Sequence, residues 1–129
     1  MTAGPIRVVL ADDTPEYRQL LRIILEQDGG FDIVGEAANG EEAVRLSDTE
    51  RPDVLVLDLA MPVLVGLETI PLVRACSPGT AIVVVSGFAR GQLERDTLAL
   101  GAVAYVGKEE VFASIVATLT RVASLAETV

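Results

Sequence analysis

Asp58 closes the apolar run Val54-Leu55-Val56-Leu57, and Asp12-Asp13 closes Ile6-Arg7-Val8-Val9-Leu10-Ala11. Carboxylates that converge from two such runs repel one another and call for a cation. Mg²⁺ suits them, since it prefers hard oxygen ligands and usually keeps several waters. An Asp carboxylate is also a competent nucleophile toward phosphorus, giving an aspartyl phosphate. Two further runs end in Ser86 and Lys108, which would add a hydroxyl and an ammonium. Phosphoryl transfer needs in-line positioning and charge neutralisation more than covalent help. Mg²⁺ and Lys108 would supply positive charge, and Ser86 a hydrogen bond to a phosphoryl oxygen. Taken singly, each of these residues reads as a turn, cap or solvated surface group. Their joint placement at the ends of apolar runs is what points to chemistry.

The elements that must position them follow a regular alternation. Strands are predicted at 6–11, 31–38, 53–58, 81–86 and 102–107. Helices are predicted at about 15–28, 41–48, 67–76, 90–100 and 109–126. In the first helix Tyr17, Leu20, Leu21 and Ile24 fall on one face, with Arg18, Arg22 and Glu26 opposite. Thr14 is its expected cap, Pro15 its first residue, and Asp28-Gly29-Gly30 its stop. Asn39-Gly40 reads as a turn. Gly66 opens the third helix, and Pro71 either kinks that helix or marks its first turn. Gly101 is the expected C-terminal glycine of the fourth. In the last helix Val111, Phe112, Ile115, Val116, Leu119 and Val122 form the apolar stripe, with acidic residues in the first turn.

Strands separated by helices in this way argue an α/β, doubly wound (βα)₅ parallel sheet. In the strand order 2-1-3-4-5 the switch point falls between strands one and three, which end in Asp13 and Asp58. Ligands of open α/β folds sit at that edge.

Composition bounds the rest. A chain of 129 residues, half of them hydrophobic, is long enough for one domain with a real core. The longest aliphatic run, Ala81–Val85, is far short of a membrane span. Too few apolar residues precede Asp12-Asp13 for a signal peptide, so a soluble cytoplasmic protein is expected. Ten basic residues against 19 acidic give a net charge of −9, which disfavours nucleic acid and anionic membranes as direct partners. Histidine is absent from the chain, which excludes imidazole metal sites, Ser-His-Asp and Cys-His catalysis. The lone Cys76 excludes an internal disulfide and is expected in the core or at a helix end.

From about Ile6 to Leu125 the chain resembles the receiver (REC) domain of two-component response regulators, a flavodoxin-like, chemotaxis-regulator-like fold. Asp12-Asp13 is similar to the family's acidic pair, and Asp58-Leu-Ala-Met61-Pro62-x-x-x-Gly66 to its phosphoacceptor motif. Ser86-Gly87 resembles its Ser/Thr followed by a small residue, and Tyr105-Val-Gly-Lys108 its aromatic switch residue and lysine. The resemblance implies one receiver domain over 1–129. Asp58 would accept a phosphoryl group from a sensor histidine kinase or phosphotransfer protein. Asp13, Asp58 and the backbone carbonyl of Ala60 would bind Mg²⁺, with Asp12 acting mainly through water. Ser86 would move toward the phosphoryl group and Tyr105 would turn inward, changing the surface of the fourth helix, fifth strand and fifth helix. Self-phosphorylation and autodephosphorylation would be the only reactions, so no enzyme acting on external substrates is expected.

The chain departs from the family in places. Glu109 follows the lysine where proline is common, and a cis bond there would cost about 3–4 kcal/mol. Ala60 and Phe88 stand where water access to an acyl phosphate is tuned, and Val63-Leu64-Val65 is apolar for a loop. Gly101 to Lys108 has a faint P-loop look, but the spacing is one residue too long and Glu109 replaces Ser/Thr. A haloacid-dehalogenase-type phosphatase would want a second Asp where Ala60 stands. The competing readings are a phosphorylation-independent pseudo-receiver, or the N-terminal receiver of a DNA-binding regulator. Apolar surface on the first or last helix would support a homodimer.

Overall fold

Strands rich in Val, Ile and Leu pair into a parallel sheet when helices cover both faces. The computed structural model describes residues 4–61, 66–87 and 91–127. The elements are β1 (Ile6–Ala11), α1 (Pro15–Asp28), β2 (Phe31–Ala37), α2 (Gly40–Glu50), β3 (Val54–Asp58), α3 (Gly66–Cys76), β4 (Ala81–Ser86), α4 (Gln92–Leu100), β5 (Ala104–Gly107) and α5 (Val111–Glu127). All neighbouring strands are parallel and the order is β2-β1-β3-β4-β5, as the alternation predicted. β2 and β5 form the two rims.

Side chains of a strand point alternately to opposite faces. Val8, Leu10, Val54, Val56, Val83 and Val85 therefore meet α1 and α5 through Leu21, Leu25, Ile115 and Leu119. Val9, Ala11, Leu55, Leu57, Ile82 and Val84 meet α2 and α3 through Ala43, Ile70 and Val73. Leu25 is fully buried, and truncating it to alanine would cost about 2–5 kcal/mol.

Several helix details differ from the expectations. Leu20 is half exposed, and Leu25, one turn beyond Leu21, faces the sheet in its place. Leu20 and Leu21 are neighbours on a helix and cannot share one narrow face. Asn39-Gly40 is not a separate turn but the start of α2: the Asn39 side chain accepts the Glu42 N–H at 2.8 Å, and Gly40 is already helical. Glu42 reaches back to the Ala38 N–H at 2.8 Å, so α2 starts at Gly40 and runs to Glu50. Pro71 lies inside α3, not in its first turn. β5 is four residues, two fewer than expected. α5 begins at Val111, so Glu109 and Glu110 precede it and its first turn holds no acidic residue. Phe112 is partly exposed. Cys76 ends α3 as expected. The expectations for Pro62, Val63-Leu64-Val65 and Phe88 concern residues outside those described.

Candidate functional site

Strand register brings the two acidic segments together. Ala11 pairs with Leu57, so the next residue on each strand, Asp12 and Asp58, emerges at the same sheet edge. On the other side of β3, Asp58 pairs with Val85, which puts Ser86 one step on. Ser86 in turn pairs with Gly107, and its carbonyl accepts the Lys108 N–H at 2.8 Å. Four strand tips that lie far apart in sequence thus surround one small region.

Local hydrogen bonds fix each group. The Asp12 N–H donates to Ala37 at 3.0 Å. One Asp12 oxygen, Oδ1, accepts the Thr14 N–H at 2.8 Å. Thr14 occupies the cap position of α1, but its own side chain makes no capping bond; the Asp12 carboxylate shapes this turn instead. Asp58 Oδ1 accepts the Ala60 N–H at 3.1 Å. Asp58 Oδ2 accepts from Lys108 Nζ at 3.3 Å, and Asp12 Oδ2 lies 3.4 Å from the same nitrogen. Beyond Lys108 the chain turns on two reciprocal bonds, Glu110 N–H to the Gly107 carbonyl at 3.0 Å and Gly107 N–H to Glu110 Oε1 at 3.1 Å. That use of Glu110 is why α5 starts late. No peptide bond is cis among the described residues, so Lys108-Glu109 is trans.

Asp12, Asp13 and Asp58 each offer an oxygen within 4.8 Å of the others. Asp12 and Asp58 are buried and Asp13 is exposed. The three carboxylates outnumber the single ammonium of Lys108, leaving negative charge in excess. Burial chiefly pushes the Asp58 carboxyl above its ordinary range; the Ala60 N–H opposes this, Asp12 adds to it, and Lys108 opposes it. Burial would lower the Lys108 ammonium, but Asp58 and Asp12 outweigh burial and hold it above its ordinary value.

A hard divalent cation fits this donor set. The oxygens are all carboxylate, and Asp12 Oδ2 is buried without a hydrogen-bond partner. Its contact with Lys108 is an ion pair at 3.4 Å, which leaves the oxygen with coordinating capacity to spare. Such an atom is costly unless something coordinates it.

Ser86 is buried at the β4 tip. Tyr105 is also buried, within the cluster beneath α2 and α3; its ring already occupies the interior that was expected only after phosphorylation. Sequence reasoning placed Tyr17 in the core stripe of α1 and missed its role at the site. Its ring centroid lies 4.6 Å from Lys108 Nζ. Arg18 was likewise assigned to a solvent face. It donates to the Asp12 carbonyl and, at 2.9 Å, to Glu36 on β2. The signal for both was their position one turn after the acidic pair.

A family model described as the response regulator receiver domain matches residues 8–120. The chain belongs to this family. It is a receiver, the phosphoryl-accepting module of response regulators, with the flavodoxin-like sheet order of that fold. The receiver is 41% identical over 108 residues to protein-glutamate methylesterase/protein-glutamine glutaminase 3 of Paramagnetospirillum magneticum, covering 84% of this chain and 30% of that protein. It is 36% identical over 104 residues to a putative transcriptional regulator of Pseudomonas aeruginosa, covering 81% of this chain and 50% of that one. A crystal structure of a CheX–CheY–BeF₃–Mg²⁺ complex from Borrelia burgdorferi superposes with a TM-score of 0.86 at 26% identity, covering 92% of this chain and 90% of that one. The receiver spans between a quarter and a half of the length of the curated relatives it matches first. Among the described residues, no helix is long and apolar enough to cross a membrane.

Proposed function

We propose that Asp58 is the phosphoacceptor and that a phosphohistidine on a sensor histidine kinase or phosphotransfer protein is the donor. The observation that carries this reading is a buried carboxylate at a strand tip, 3.3 Å from an ammonium and within 4.8 Å of two further carboxylates. In the transfer an Asp58 carboxylate oxygen bonds to phosphorus while the phosphorus–nitrogen bond breaks. The bonding pair leaves with the imidazole nitrogen, and the product is an acyl phosphate on Asp58.

Asp13, Asp58 and the Ala60 carbonyl would hold Mg²⁺, with Asp12 reaching it through water. When bound, the ion neutralises charge on the phosphoryl oxygens. Lys108 already rests against the carboxylate that reacts, so it can follow the new phosphoryl oxygens with little motion. Ser86 offers its hydroxyl from the neighbouring strand. Tyr105, buried on β5 just before Lys108, would keep its interior position in the phosphorylated state. New charge-assisted contacts would then bias the surface formed by α4, β5 and α5 between two arrangements. Residues 1–129 would act as one receiver unit, and its reactions would be limited to its own phosphorylation and dephosphorylation. A homodimer could form through exposed Leu20 and Ile23 of α1 together with Phe112 of α5.

The test is intact-mass analysis after incubation with a small-molecule phosphodonor and Mg²⁺. One phosphoryl adduct is expected on the parent protein and none on Asp58→Asn. An adduct that persists on Asp58→Asn would overturn the assignment.

A further inference from the structure

Lys108 carries a long, flexible side chain, and only 30% of it is exposed. Ordering such a chain against water has an entropic cost. The two carboxylates attract its tip, at 3.3 and 3.4 Å. A ring flanks it as well: Lys108 Nζ sits over Tyr17, 4.6 Å from the ring centroid. Cations are drawn to the negative face of an aromatic ring. The Tyr17 ring is itself wedged by Phe112 of α5, centroid to centroid 5.1 Å with planes tilted by 47°. The phenol oxygen is buried without a hydrogen-bond partner, so no hydrogen bond within the protein anchors the ring in this place. What touches Lys108 at this place is the Tyr17 ring face.

We infer that Tyr17 is a positioning residue: its ring, braced by Phe112, holds the Lys108 ammonium against Asp58 in readiness for the phosphoryl group. The inference rests on the reading of Asp58 as phosphoacceptor, and it adds a residue outside the acidic, hydroxyl and lysine set. Tyr17 touches no reacting atom, so it acts only through Lys108. The ring also forms a line of contact from Lys108 to the partly exposed Phe112 on the outer helix.

Two measurements test this. In the first, the lysine ε-methylene protons of Lys108 are followed by NMR in the parent, Tyr17→Phe and Tyr17→Leu. A ring-current shift is expected in the parent and in Tyr17→Phe, and its loss in Tyr17→Leu. In the second, rates of phosphorylation by phosphoramidate with Mg²⁺ are compared in a double-mutant cycle. Tyr17→Leu should slow the reaction about five- to tenfold. Tyr17→Phe should restore it to within about twofold of the parent. In a Lys108→Ala background, Tyr17→Leu should slow it no further. Tyr17→Met, closer in length, runs beside Tyr17→Leu, with circular dichroism to show that each variant folds. An unchanged ε-proton shift in both aliphatic variants, or an equal loss with and without Lys108, would overturn the inference. A parent that takes up no phosphoryl group would instead overturn the phosphoacceptor reading, while the NMR result would still decide the place of Tyr17.

Discussion

Lys108 and Asp58, fifty positions apart in the chain, meet at 3.3 Å across the tips of β5 and β3. Removing the ammonium strands two buried carboxylates side by side. Loss of one partner of a fully buried pair costs about 3–5 kcal/mol. Water reaches part of Lys108, so the cost of Lys108→Ala is expected at about 1–2 kcal/mol. Thermal melts at neutral pH without divalent cation should show a fall of roughly 3–10 °C in Tm.

Asp58→Asn should move stability the other way. The Asp58 carboxyl is held above its ordinary range, chiefly by burial and then by Asp12, against the Ala60 N–H and Lys108. A raised folded-state value means the protonated form is favoured in the fold. That stabilisation is complete below the unfolded-state value and is lost as pH rises through the folded-state value. Asparagine suffers no such loss. Metal-free Asp58→Asn should therefore exceed the parent in stability near pH 7, and the gap should close on acidification below about pH 4. Urea midpoints at the two pH values check the sign.

Adding Mg²⁺ should stabilise the parent and leave Asp58→Asn nearly unmoved. At ten times the dissociation constant the gain is about 1.4 kcal/mol. Differential scanning fluorimetry with and without chelator measures it, and an equal response in both proteins would place the cation elsewhere.

The two helix starts should respond differently to loss of their cap residues. Asn39 accepts the Glu42 N–H through its side chain, whereas Thr14 makes no such bond. Asn39→Ala should cost about 1 kcal/mol and Thr14→Ala only a few tenths. Denaturant midpoints of the two variants, measured side by side, give the comparison.

Much of this was legible before any coordinates. Unbroken Val and Leu runs announce buried strands, and the crossover rule leaves few ways to order them. Asp12, Asp58, Ser86 and Lys108 could be placed at one edge because each follows such a run. Helix ends were less legible because they depend on which side chain wins a local competition. Asp12 shapes the turn into α1 in place of Thr14, and Glu110 bends back to Gly107 before α5. Tyr17 was hidden for a different reason. An aromatic residue at helical spacing looks like ordinary core, and only the tertiary approach of β5 puts an ammonium over its face.

The sheet's two outer strands bear on how the molecule behaves in crowded solution. β2 presents exposed Asp32 and Glu36, and α1 covers Glu36 with Arg18 and Arg22. β5 offers only four residues of backbone. Unpaired strands normally recruit foreign chains into fibrils, and charge and brevity are what deter them. This sheet carries one deterrent on each side, so association at high concentration should rise once the charged side chains of the β2 rim are replaced by uncharged ones.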